Sequence, residues 1–217
     1  MKKKLVVCMV LLASLLMLGA PVFKAEAKTT KQKVYVNVGG LNYVKLKGIK
    51  KEIYEGSIKN FKSSNKKIVD ELLGSDIDQP GTVGIMAGKA GKATVTFKLK
   101  SGKKLLPYKL TVVAVKLGVP VKSVQFGKKT YTFKKGNTAY LKEGNTSGLL
   151  AVKPATGWKI LKMQAGYLGD IEGRKLKNNQ KVKLDMGEGI WIVMQDTKYG
   201  IKETLYLQPD EESEYSE

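Results

Sequence analysis

Gly88-Lys89-Ala90-Gly91-Lys92-Ala93-Thr94-Val95-Thr96-Phe97-Lys98-Leu99 joins a turn signal to a strict two-residue alternation, and this pattern decides the fold class. Ala93, Val95, Phe97 and Leu99 fall on one side of an extended segment, and Lys92, Thr94, Thr96 and Lys98 on the other. Apolar and polar residues alternating at that period mark a half-buried antiparallel strand. Ser101-Gly102-Lys103 supplies a short turn, after which Leu106, Tyr108, Leu110, Val112 and Ala114 repeat the alternation within Lys104 to Val115. The two runs predict a β-hairpin.

Toward the N-terminus the same signals recur. Lys33 to Val38 places Val34, Val36 and Val38 on one face, Gly39-Gly40 turns the chain, and a second strand is expected at about Leu41 to Lys47 before Gly48. Ile58 to Lys62 reads as a short strand leading into Ser63-Ser64-Asn65, whose hydroxyl and amide side chains suit a turn. Lys66 to Leu73 reads either as a strand or as one helical turn, ended by Gly74. Gln79-Pro80-Gly81 marks another turn before a strand at Thr82 to Ala87. Short strands at such spacing, separated by turn residues, predict an all-β sandwich.

Ser63-Ser64-Asn65, the run Met86-Ala87-Gly88-Lys89-Ala90-Gly91-Lys92-Ala93-Thr94-Val95-Thr96, and the closing strand to Val115 together resemble the bacterial Ig-like domain, group 2. That family occurs in secreted and surface proteins, including invasin- and intimin-like adhesins. The resemblance covers about residues 33–115. It departs between Val69 and Val83, where Leu72-Leu73-Gly74-Ser75-Asp76-Ile77-Asp78-Gln79-Pro80 stands in place of a shorter link. It implies a spacer or binding scaffold and transfers no catalytic residue.

Lys116 to Pro120 reads as a linker, and a second unit is expected over 121–208. Tyr131-Thr132-Phe133-Lys134-Lys135-Gly136 echoes Tyr35-Val36-Asn37-Val38-Gly39-Gly40, which hints at a tandem repeat. Strands are expected at Ala139 to Lys142, Trp158 to Ala165, Lys181 to Met186, Gly189 to Gln195 and Ile201 to Gln208. The run Ile190 to Asp196, followed by Gly200 and an alternating strand, is similar to the closing hairpin of bacterial Ig-like modules, more loosely than the first unit. The expected architecture is two tandem Ig-like β-sandwiches, at 33–115 and 121–208. The acidic segment 209–217 has almost no apolar residues and is expected to be disordered.

The chain opens with Lys2-Lys3-Lys4, an apolar run from Leu5 to Leu18, the breakers Gly19 and Pro21, and Ala25-Glu26-Ala27. This is the pattern of a secretory signal peptide over 1–27, with the mature chain starting at Lys28. An uncleaved anchor is the alternative, because Leu5 to Phe23 is just long enough to span a bilayer. Secretion to the cell surface is therefore expected, with membrane contact only through that segment. Cys8 is the single cysteine and there is no histidine, so the exported chain has no disulfide, thiolate or imidazole. Ser-His-Asp and Cys-His catalysis and most zinc sites are thereby closed.

The net charge is +20, of which residues 1–27 contribute +3. A body this basic is drawn to anionic wall polymers, acidic polysaccharides, lipid headgroups or nucleic acid. The other reading is that scattered lysines keep a secreted β-protein soluble and blunt its edge strands. Arg174 is the one arginine, whereas specific nucleic-acid sites favour the bidentate guanidinium. No nucleic-acid-binding motif is present, and no specific nucleic acid is expected as partner.

Asp76 with Asp78 and Asp170 with Glu172 are the best local carboxylate pairs for acid–base work or oxygen ligation of Ca²⁺, and solvated turn residues explain both. No enzyme activity, metal or cofactor is expected. Aromatic residues concentrate in the second unit: Trp158, Tyr167, Trp191, Tyr199 and Tyr206. Trp191 is out of phase with Ile190, Ile192 and Met194, and Tyr206 with Leu205 and Leu207, so both are candidates for an outward face, a core role being the alternative. Lys159, Lys162, Lys198 and Lys202 beside them would complete an aromatic and cationic face for an anionic glycan. The expected function is a non-enzymatic surface-associated binding or adhesion module for anionic wall polymers or glycans. A spacer or subunit that binds another secreted protein by edge-strand pairing is the alternative.

Overall fold

The computed structural model describes residues 27–75, 79–133, 137–141, 146–167 and 173–209. The N-terminal segment through Glu26, the Asp76 and Asp78 pair, the Asp170 and Glu172 pair and the acidic tail from Asp210 lie outside them. The chain is all-β. Among the described residues there is no α-helix, only a single 3₁₀ turn at Glu55–Ser57.

The central hairpin forms as its alternation dictates. Strands β5 (Gly91–Ser101) and β6 (Lys104–Val115) pair antiparallel from Gly91 opposite Ala114 to Ser101 opposite Lys104. Ala93, Val95, Phe97 and Leu99 are buried, as are Tyr108, Leu110, Val112 and Ala114. Only Gly102 and Lys103 bridge the strands, and Gly102 has a φ of 59°. Glycine takes that left-handed conformation without strain, and a positive φ at the first loop position gives the turn a twist that matches the strands.

Strand β1 (Thr30–Asn37) lies parallel to β6, and β3 (Ile58–Ser63) antiparallel to β5, giving the order β1-β6-β5-β3. A second sheet is formed by β2 (Leu41–Lys45) and β4 (Thr82–Met86). Of the two readings of Lys66 to Leu73, a strand or one helical turn, the start of the segment forms a single turn and no regular strand follows. Ile68 and Val69 both donate their N–H to the Asn65 carbonyl, at 3.0 and 3.1 Å, and Val69 and Leu73 then make single bridges to Ala87 and Gly84. This turn lets Ile68, Val69 and Leu72 enter the core that the two-stranded sheet alone would not fill.

The second half is built from β7 (Val121–Phe126), β8 (Lys129–Tyr131), β9 (Thr138–Leu141), β10 (Ser147–Pro154), β11 (Trp158–Tyr167), β12 (Arg174–Lys175), β13 (Gln180–Lys183), β14 (Glu188–Asp196) and β15 (Lys202–Pro209). They form two sheets, β13-β10-β7-β8 and β12-β11-β14-β15-β9. The order β9-β15-β14-β11 repeats β1-β6-β5-β3, including the parallel pairing of the outer strand with the last one. The counterpart of β1 is therefore β9, and the echo between Tyr35 and Tyr131 is not a structural repeat: Tyr131 ends β8 in the opposite sheet. Both segments simply alternate. Strand β10 is not signalled by alternation, because Gly148 to Val152 lacks the polar positions that mark a half-buried strand.

Two apolar cores result, one drawn from Val34 to Ala114 and one from Val121 to Leu207, with no residue in common. Each fully buried aliphatic or aromatic side chain contributes roughly 1.5–3 kcal/mol relative to exposure. With no disulfide available, these cores hold the fold.

Candidate functional site

The outer face of the five-stranded sheet carries the candidate site, and the register of β14 sets it. Ile190, Ile192 and Met194 are fully buried, so Trp191, Val193 and Gln195 face away from the core. Pairing carries that face across the sheet. Gln164, Trp191 and Tyr206 stand in one row, continued by Thr138. Lys162, Val193 and Thr204 form the next, and Lys159, Gln195 and Lys202 the one after.

Trp191 and Tyr206 are directly opposed across β14 and β15 and half-buried, as expected of rings lying on a pleated surface. Trp191 leans over β11: a Cβ added to Gly166 would meet its ring at 3.1 Å, so glycine there makes room for the indole. Between the two rings lies a shallow hollow bordered by Gly189, Gln208 and Pro209. Tyr140 pairs with Gln208 on the same face and is 58% exposed. Sequence reading did not single it out, although Ala139 and Leu141 turned inward put it out of phase with the core.

Five of the eight nominated side chains thus share this face: Trp191, Tyr206, Lys159, Lys162 and Lys202. Trp158 does not. It stands one position out of phase with Lys159, opposite buried Asp196, and packs against the core. Tyr199 and Lys198 lie in the turn after β14, where Asp196 Oδ1 accepts the Tyr199 N–H at 2.6 Å. That turn meets the first sandwich: the Tyr199 and Tyr35 rings lie 5.2 Å apart, with Lys198 Nζ 5.0 Å from the Tyr199 ring centre.

Electrostatically the molecule is open. Among the described residues the single ion pair is Arg174 with Glu188 at 3.0 Å. Among the described residues no lysine is held in an ion pair. Tyr206, Thr204 and Lys202 also border a cleft of about 810 Å³ whose lining includes Leu41, Tyr43 and Lys45 of β2. No described cluster of three His, Cys, Asp or Glu side chains is present to hold a metal ion. No described helix is long and apolar enough to cross a membrane.

No family model matches the chain, and no curated protein does. Among solved structures it is similar to domains 7, 8 and 9 of the S-layer protein SbsC, with 13% identity over 72% of this chain and 48% of that one, at a TM-score of 0.28. It is also similar to the N-terminal four Ig domains of Dscam1 isoform 1.9, with 10% identity over 85% of this chain and 52% of that one, at a TM-score of 0.26. The chain spans about half the length of each of these solved chains. At such scores the likeness carries no functional argument, and the assignment of two β-sandwiches stands on the sheets themselves.

Proposed function

We propose that this chain is a secreted, non-catalytic, surface-associated binding module that takes an anionic glycan on the outer face of its five-stranded sheet. The carrying observation is the cross-strand pair Trp191 and Tyr206, flanked on the same face by Lys159, Lys162 and Lys202. Planar rings stack on the apolar faces of sugar rings, and unpaired ammonium groups attract carboxylate or sulfate substituents. The group 2 Ig-like resemblance over about residues 33–115 supports the same reading, because that family serves as scaffold and adhesion module.

The test is binding of an acidic polysaccharide, polygalacturonate, to the whole chain. Trp191→Ala is expected to weaken it about tenfold, the loss of one ring stack, with circular dichroism unchanged. Added salt should weaken the wild-type complex further. Binding that is insensitive to both Trp191→Ala and Tyr206→Ala would remove the proposal.

A further inference from the structure

Four lysines converge on one corner of the first sandwich, remote in sequence from the aromatic face. The parallel register of β1 and β6 sets Lys31 directly opposite Lys109 and Lys33 opposite Thr111, all on the outer side of the sheet. Lys47 is brought to them by its backbone. Its N–H donates to Gln32 Oε1 at 3.1 Å, and its carbonyl accepts the Tyr108 hydroxyl at 2.9 Å. Gln32 Nε2 in turn donates to the Lys45 carbonyl at 2.7 Å. These three bonds fasten the end of β2 against β1 and β6. The side chains then surround a hollow of about 240 Å³ lined by Lys31, Gln32, Lys33, Lys47, Lys109 and Thr111.

No carboxylate lines this hollow, and among the described residues none of the four ammonium groups takes part in an ion pair. Like charges directly opposite across a sheet are destabilising, so the Lys31 and Lys109 pair carries a standing cost that a bound anion would relieve. The charge also extends beyond one ion. Lys62, Thr96, Lys109 and Lys31 form a row across all four strands, and on the same face of β5 Lys98 adjoins Thr96 while Lys92 lies beyond Thr94. At about 4.8 Å between strands the row spans roughly 15 Å, a length suited to a chain of anions rather than a single one. Lysine ammonium groups are mobile point charges that bind phosphate without demanding a fixed geometry.

We infer that this corner and the row leading from it form a docking face for a linear polymer of phosphodiester units. The face uses different residues from the glycan face and contains no stacked Trp.

The test is fluorescence anisotropy of the whole chain with a labelled poly(glycerol phosphate). Lys31→Gln with Lys109→Gln is expected to weaken binding about tenfold and to make the slope of log K against log salt less negative by about two. Relief of the like-charge pair should leave the melting temperature equal or higher, so a loss of binding is not a loss of fold. The charge-matched control Lys122→Gln with Lys153→Gln, on the second sandwich, should stay within about twofold of wild type. Equal losses in both variants would mean that only net charge matters and would overturn the inference. So would an unchanged affinity of the Lys31 and Lys109 variant, or a defect confined to phosphatidylglycerol vesicles with polymer binding intact. Trp191→Ala should bind the polymer as wild type does, which separates this inference from the glycan reading.

Discussion

Tyr108 shows how much one side chain can fasten. Its ring stacks on Phe97 across the hairpin, with centroids 5.3 Å apart, and its hydroxyl reaches the Lys47 carbonyl. Burial pushes the phenol pKa above its ordinary 10.0, opposed by a hydrogen bond to Thr30. The neutral form is thus favoured in the folded chain. The unfolded chain releases this proton first, so the stabilisation is complete below about pH 10 and is lost as pH rises through the folded value. Urea unfolding of wild type and Tyr108→Phe should therefore differ by about 1 kcal/mol near neutrality, from the lost hydrogen bond, with the gap narrowing above pH 10. A gap that widens there would contradict the assignment. Trp191 and Trp158 make the complementary point, since each obeys the phase of its own strand: one is on the outer face and the other against the core.

Edge strands decide whether this protein meets a partner by strand addition. In the first sandwich β3 carries a register shift between Lys59 and Lys62, with Asn60 at a φ of 54°, and β1 presents Lys31 and Lys33. In the second, β12 has two residues, β8 three and β9 four, while β13 places exposed Lys181 and Lys183 on either side of buried Val182. Bulges, short strands and lysines are the devices that keep sheet edges from pairing. They weigh against edge-strand pairing with another secreted protein and favour contact through sheet faces. Replacing Lys181 and Lys183 with Val should convert β13 into an adhesive edge. Light scattering is expected to show concentration-dependent association, and a monomer at all concentrations would show that the lysines do not guard it.

The two sandwiches meet through a small polar clamp. Glu203 accepts from Asn37 Nδ2 at 2.8 Å and from Asn137 Nδ2 at 2.9 Å, while Asn37 Oδ1 accepts the Leu117 N–H at 3.0 Å. The Tyr35 and Tyr199 contact sits beside it, capped by Lys33 and Lys198. With so few bonds between two separate cores, relative motion is controlled by the clamp rather than by a shared interior. Glu203→Ala is expected to leave the thermal unfolding of the cores nearly unchanged while raising the radius of gyration in solution scattering. A large fall in melting temperature with no change in size would assign Glu203 to the core instead. The open positive field acts over the whole molecule and raises encounter rates with anionic surfaces at low salt.

Alternation alone was enough to establish an all-β chain and the β5 and β6 hairpin, because period-2 patterning records which side of a strand is buried. It put Trp191 and Tyr206 out of phase with their apolar neighbours but left a core role open, which the register of β14 and β15 decided. It could not show that β9, rather than the segment ending at Tyr131, stands in for β1, since several strands alternate alike and only pairing distinguishes them. Nor could it bring Lys31, Lys47 and Lys109 together. Residues that far apart in the chain become neighbours through register and through the hydrogen bonds of Gln32 and Tyr108, which exist only once the sheets have closed.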